Sequence, residues 1–183
     1  MDPDFMKYKI ESDLKNYEKA LEMIAKSGNK FFEESLALIK KQRLFKQALV
    51  LYKDQPELHA QVKTAFGDYL LQRGYVQEAG LLYMGSENPS DLQKSLEAFK
   101  KCANVEMAFS VAYKLKFTNE QQQQLLQEMV EILAAASKFV EAAELYCKQE
   151  AYSSSQAVEY FNKGGAFLKA IKEAMKEGDL STQ

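Results

Sequence analysis

Arg43-Leu44-Phe45-Lys46-Gln47-Ala48-Leu49-Val50-Leu51-Tyr52 holds the phrase on which the fold turns: Phe45, then Ala48 three positions on, then Tyr52 four positions after that. Positions i, i+3 and i+7 lie on one face of a helix. The phrase therefore makes an apolar stripe with a small residue at its centre, where a second helix can come close. Val76, Ala79 and Tyr83 repeat it, as do Phe139, Ala142 and Tyr146. Looser copies stand at Tyr17, Ala20 and Ile24, at Val105, Ala108 and Ala112, and at Phe167, Ala170 and Ala174. The alanines at 20, 48, 79, 108, 142 and 170 are 28 to 34 residues apart. A single helix cannot bury such a stripe, and a period of about 30 residues built from these units is the mark of stacked helical hairpins. The expected fold is all-α: an α-solenoid of about six tetratricopeptide-like helical hairpins, or about twelve helices, with no strand.

The punctuation agrees with this period. Residues 12–26 read as one helix with Leu14, Tyr17, Leu21 and Ile24 on a face, closed by Ser27-Gly28-Asn29. A second helix runs from Phe31 to Gln42, and the first clear copy of the phrase opens a third at Leu44 to complete a hairpin. Asp54 is expected to cap a helix that admits Pro56 in its first turn and ends at Gly74. Ser90 with Gln93, Thr118 with Gln121 and Ser153 with Gln156 have the spacing of capping boxes. The resulting division takes residues 1–9 as a leader or cloning scar, partly disordered, residues 10–178 as the solenoid, and residues 179–183 as a frayed tail.

Charged residues make up 27% of the 183 and balance to a net charge of -2. The chain lacks the overall basic excess of an autonomous nucleic-acid-binding domain, so any RNA contact has to be local. Cys102 and Cys147 are the only cysteines. Each sits in an apolar helical pattern and is expected as a buried free thiol in a reducing compartment. No window approaches the ~20 apolar residues of a membrane span, and the opening Met1 to Met6 has no basic region followed by an apolar core. The chain is expected inside the cell, in the cytoplasm, with the nucleus as a second compartment and no membrane partner.

The side chains that carry chemistry do not assemble into a reaction centre. His59 is the only histidine and has no nucleophile motif beside it, so it reads as an exposed or half-buried surface residue. Neither cysteine has a ligand partner at zinc spacing. Gly164-Gly165 is a helix cap rather than a phosphate loop. Paired carboxylates such as Glu141 and Glu144 lie opposite the apolar stripe, on the solvated face. No catalytic, metal or cofactor-binding residue is assigned, and no cofactor is expected. One cluster remains: Lys40, Lys41, Arg43 and Lys46 fall at a helix end, across a turn and into the next helix. Part of their role is to complement the negative end of the helix dipole. The other reading is contact with an acidic partner or a phosphate backbone. Lys100-Lys101 and Lys114 with Lys116 are weaker versions. The residues expected to pack the repeats are Ala20, Phe45, Ala48, Tyr52, Ala79, Tyr83, Ala108, Phe139, Ala142, Tyr146 and Ala170.

The order of the phrases carries a resemblance. Leu14 to Ala20, Phe31 to Lys40, Arg43 to Tyr52, Glu78-Ala79-Gly80-Leu81-Leu82-Tyr83 and Leu115-Lys116-Phe117-Thr118 resemble, in register, the C-terminal tetratricopeptide-like solenoid of the largest, scaffold subunit of the Elongator complex. The similarity runs from about residue 10 to about residue 178. It implies a non-catalytic scaffold that supports transfer RNA wobble-uridine modification, performed by a different subunit, with other Elongator subunits as partners. It also implies that this chain is a piece. Family members carry two β-propellers before the solenoid, and beyond it a dimerisation region and a basic tail implicated in transfer RNA binding. Homodimerisation is thus expected of the intact subunit and not of this fragment. The Trp-x-x-Leu-Gly phrase and closing proline of standard tetratricopeptide repeats are missing. Two other readings stay open: a helical-repeat scaffold of a vesicle-coat or intraflagellar-transport subunit, and a direct transfer RNA-binding surface.

Overall fold

The computed structural model describes residues 2–180. Every α-helix or strand among them is an α-helix: α1 (Pro3–Asp13), α2 (Tyr17–Ala25), α3 (Phe32–Gln42), α4 (Phe45–Leu51), α5 (Pro56–Gln72), α6 (Val76–Met84), α7 (Pro89–Lys101), α8 (Val105–Lys114), α9 (Asn119–Ala135), α10 (Phe139–Tyr146), α11 (Ser154–Lys163) and α12 (Phe167–Leu180). A 3-10 turn, Gly28–Phe31, leads into α3. The six copies of the phrase begin at the first residue of α2, α4, α6, α8, α10 and α12. The all-α, solenoid-type expectation from periodicity is therefore met, with the phrase marking the second helix of each hairpin.

The hairpins share one turn. Two residues before each phrase the backbone enters the left-handed region, at Lys15 (φ 61°), Arg43 (φ 61°), Gly74 (φ 84°), Ala103 (φ 53°), Ser137 (φ 60°) and Gly165 (φ 72°). The next residue's N–H then bonds a carbonyl five positions back: Asn16 to Glu11 at 2.8 Å, Leu44 to Ile39 at 3.0 Å, Tyr75 to Leu70 at 3.0 Å, Asn104 to Phe99 at 2.9 Å, Lys138 to Leu133 at 2.9 Å and Ala166 to Phe161 at 2.8 Å. This bond satisfies a carbonyl that a helix end would otherwise leave unpaired. Glycine was the expected signal for such a turn, and only two of the six positions hold it. The helix expected over residues 12–26 is therefore two. Lys15 closes the first, and Leu14, on that helix's C-cap, is 64% exposed instead of sharing a face with Tyr17.

Residues 3–9, expected as part of a partly disordered leader or cloning scar, open α1. Asp2 accepts from the N–H groups of Asp4 (3.0 Å) and Phe5 (3.4 Å), and Pro3 suits the first turn. The Phe5 ring then stacks on Phe31 at 4.4 Å. At the other end α12 continues past Gly178 to Leu180, and residues 181–183 of the expected frayed tail lie outside the described residues. Of the three capping boxes, Thr118 and Gln121 make both bonds. Ser90 instead lies inside α7, its N–H donating to Asn88 Oδ1 at 2.9 Å, and the Ser153 hydroxyl meets Ser155 Oγ at 2.8 Å. Gln55, not Asp54, holds the cap position of α5, with no side-chain bond.

Contacts divide the chain into two compact units, Met1–Asp91 and Leu92–Gln183. In the first, Ala20, Ala48 and Ala79 have no exposed surface, and neither do Tyr52 and Tyr83. The Phe45 ring stacks on Phe66 at 5.0 Å, and Tyr52 meets Phe32 edge-on at 5.3 Å. Burying a tyrosine requires a partner for its hydroxyl. Tyr52 Oη donates to Ser35 Oγ at 2.7 Å, and Tyr83 Oη to Asp68 Oδ1 at 2.6 Å. Asp91, itself buried, accepts from Thr64 Oγ1 at 2.7 Å and Ser86 Oγ at 2.9 Å, tying α5 to the loop after α6.

In the second unit Ala108 and Ala142 are wholly buried and Ala170 nearly so. Phe139 and Tyr146 are half-buried, Tyr146 lying between the rings of Tyr152 (6.2 Å) and Tyr160 (5.9 Å). The looser copy in α12 departs from the pattern: Phe167 and Ala174 are exposed, and Glu173 turns inward in place of Ala174. Its carboxylate is held by Tyr152 Oη and Lys176 Nζ, each at 2.7 Å.

Candidate interaction surfaces

Lys40 and Lys41 stand in the last turn of α3, Arg43 takes the left-handed position that ends it, and Lys46 lies in the first turn of α4. All four are exposed. No carboxylate among the described residues lies within ion-pair reach of them. The Arg43 guanidinium stands 5.9 Å from the ring centre of Tyr69, and that of Arg73 stands 5.8 Å from the same ring. One half-buried tyrosine thus holds two cations from successive turns. Lys15 belongs to the turn before, and its residue lines an open depression of about 590 Å³ with Asn16, Tyr17, Glu18, Lys19, Gln42 and Leu44. Within that depression Lys19 is already neutralised by Glu11 at 2.8 Å. The helix ends in this unit therefore display a basic edge wider than the cluster read from sequence. Arg73 was missed because it is isolated in sequence, 30 residues after Arg43. The signal that could have found it is its place beside the left-handed residue of its own hairpin.

The weaker basic features differ. Lys100 is bridged to Glu97 (3.0 Å) and Glu128 (2.8 Å). Burial acts to lower its pKa, and the two carboxylates outweigh it and hold the ammonium charged above its usual range. His59 is half-buried, and burial together with the Lys63 charge pushes its pKa down. Cys102 and Cys147 are half-buried, not buried as expected. Burial pushes the Cys147 thiol up, away from the reactive thiolate.

Apolar side chains also reach solvent. Met6 (47%) and Ile10 (56%) on α1 and Leu14 (64%) at its C-cap are exposed, as are Phe167 (62%), Leu168 (79%), Ile171 (56%) and Met175 (65%) on α12. Among the described residues no helix is long and apolar enough to cross a membrane.

Residues 5–172 match the family described as the ELP1 TPR domain. The chain belongs to this family. Elongator complex protein 1 of Mus musculus is 33% identical over 179 residues, 96% of this chain and 13% of that protein. The Drosophila melanogaster protein of the same name is 28% identical over 176 residues, covering 96% of the chain and 14% of the relative. That of Saccharomyces cerevisiae is 25% identical over 182 residues, covering 90% and 13%. The chain therefore spans about one seventh of the length of these relatives. The match covers most of both units and begins within the stretch expected as a leader. Membership brings a repeat-type domain.

Proposed function

We propose that this chain is a non-catalytic scaffold segment of an Elongator subunit, lying in its C-terminal solenoid and supporting transfer RNA wobble-uridine modification in the cytoplasm, with the nucleus as a second compartment. The observation that carries this reading is the family match over residues 5–172. Its support in the structure is that the repeated residues are spent on packing: the central alanine of each of the six phrases is buried, and the aromatic residues of the clear copies are buried or half-buried. What remains at the surface is suited to holding partners. Other Elongator subunits are those partners, and homodimerisation belongs to other parts of the intact subunit.

Co-purification of the full-length protein tests this. Recovery of Elongator subunits, lost together with wobble-uridine modification when residues 5–172 are deleted, is the expected result. Recovery of vesicle-coat or intraflagellar-transport components instead overturns it.

A second reading, direct contact with transfer RNA, draws on the unpaired cations Lys40, Lys41, Arg43 and Lys46, with Arg73 added across the Tyr69 ring. Neutralising Z phosphates makes affinity fall steeply with salt. Charge reversal at these five positions in the full-length protein should weaken transfer RNA binding and flatten its salt dependence. An unchanged salt slope rejects the contact.

A further inference from the structure

Within the first unit, a depression of about 420 Å³ lies between the start of α5 and the loop that joins α6 to α7. His59, Lys63 and Ser86 are the half-buried part of its lining, and Lys53, Glu57 and Glu87 are exposed. The loop wall is held in place by its own hydrogen bonds. Ser86 Oγ donates to the buried Asp91 at 2.9 Å and accepts from the Asn88 N–H at 3.1 Å.

Two ammonium groups share this space without a counter-ion. His59 and Lys63 stand at i and i+4, adjacent on one face of α5. A β-carbon on Gly85 would fall 3.7 Å from Lys63 Nζ, so the Lys63 charge lies against the loop. Among the described residues neither Lys53 nor Lys63 has a carboxylate within ion-pair reach, although Glu57 and Glu87 belong to the same lining. A half-buried charge without a partner is costly. Burial and the Lys63 ammonium push the pKa of His59 down. An anion seated beside both side chains reverses the second effect and draws a proton onto the imidazole.

We propose that Lys53, His59 and Lys63 form a binding site for a phosphate monoester. The dianion neutralises both ammonium groups, where a single carboxylate would match only one, and a protonated His59 adds a further charged donor. Glu57 and Glu87, exposed in the same lining, repel an extended polyanion, so the site takes a terminal phosphate group and not a nucleic-acid backbone. Binding favours the imidazolium, and by linkage protonation of His59 strengthens binding. The site includes none of Lys40, Lys41, Arg43 and Lys46. It does not depend on the scaffold reading, so failure of the partner test leaves it standing.

Pyridoxal phosphate, a phosphate monoester whose aldehyde condenses with a nearby lysine amine, tests this on the full-length protein, with borohydride reduction and peptide mass spectrometry as the readout. Lys53 or Lys63 should be labelled at least tenfold faster than Lys148 and Lys172, which are exposed. Inorganic phosphate should abolish that preference, acetate at equal ionic strength should leave it, and pyridoxal, which lacks the phosphate, should not show it. The preference should grow from about pH 8 to about pH 6, as an imidazole takes up its proton, and His59→Gln should remove this pH dependence. Stronger protection by a phosphoserine peptide than by a mononucleotide assigns the phosphate to a protein chain, and the reverse to a small ligand; either result upholds the site. Labelling no faster than at Lys148 and Lys172 overturns the proposal, as does the same preference with pyridoxal or equal protection by acetate.

Discussion

Gly67 lies flat against the ring of Tyr83: a β-carbon built on it would fall 2.6 Å from Cε1 and 2.7 Å from Cζ. Glycine in mid-helix costs roughly 1 kcal/mol relative to alanine, so its presence inside α5 needs a reason, and this close approach to α6 supplies it. The ring cannot give way, being wholly buried with its hydroxyl tied to Asp68. Gly67→Ala should therefore lower stability by about 1–2 kcal/mol despite the better helix former, because overpacking outweighs propensity. Urea unfolding checks this, and a stabilised variant would place the ring elsewhere.

The shared hairpin turn predicts opposite signs at equivalent positions. Gly74 has φ 84° with nothing within 4 Å of its β-carbon position, so Gly74→Ala should cost about 1 kcal/mol from backbone strain alone. Ser137, exposed at φ 60°, already bears that strain. Ser137→Gly should raise stability by about 0.5–1 kcal/mol, with melting temperature as the measure.

Ala79 has no exposed surface where α6 meets its neighbours. Ala79→Glu brings both excess volume and an unpaired charge to that contact and should cost at least about 3 kcal/mol. Loss of helicity and of a cooperative melt is the expected readout. Wild-type cooperativity would show that the face is wrongly assigned.

Glu173 predicts a pH dependence. Burial acts to raise its pKa, but the Lys176 ammonium and Tyr152 hydroxyl outweigh it and hold the carboxyl below the ordinary glutamate value. A depressed folded-state pKa contributes stability that is complete above the unfolded value of about 4.3 and is lost as pH falls through the folded value. Glu173→Gln should thus be less stable than wild type at pH 7, and the gap should narrow below about pH 4. A gap independent of pH between 3 and 7 would show that the carboxylate charge plays no part.

Much of this was legible in the residues. The spacing of Ala20, Ala48, Ala79, Ala108, Ala142 and Ala170 placed a helix at each copy of the phrase, because a small side chain at a helix contact leaves a periodic trace. The turns were harder to read. Lys15, Arg43, Ala103 and Ser137 adopt a glycine-like backbone without being glycine, since five-back hydrogen bonds and the packing on either side over-determine it. The basic cluster was visible only as far as its members are neighbours in sequence. Arg73 joins it through the Tyr69 ring, a contact between hairpins that no local pattern encodes.

Side-chain periodicity settled the architecture, since an apolar stripe interrupted by alanine every 28 to 34 residues can be buried only by stacking helix on helix. Local pattern could not settle which copies of the stripe are covered. Phe139 and Phe167 occupy the same place in the phrase, yet the first is half-buried and the second is 62% exposed. The difference lies in the neighbour: α11 packs on α10, whereas among the described residues no helix lies over the Leu168, Ile171 and Met175 face of α12. Burial depends on what packs against a residue as well as on the residue itself, and that partner comes from a distant part of the chain.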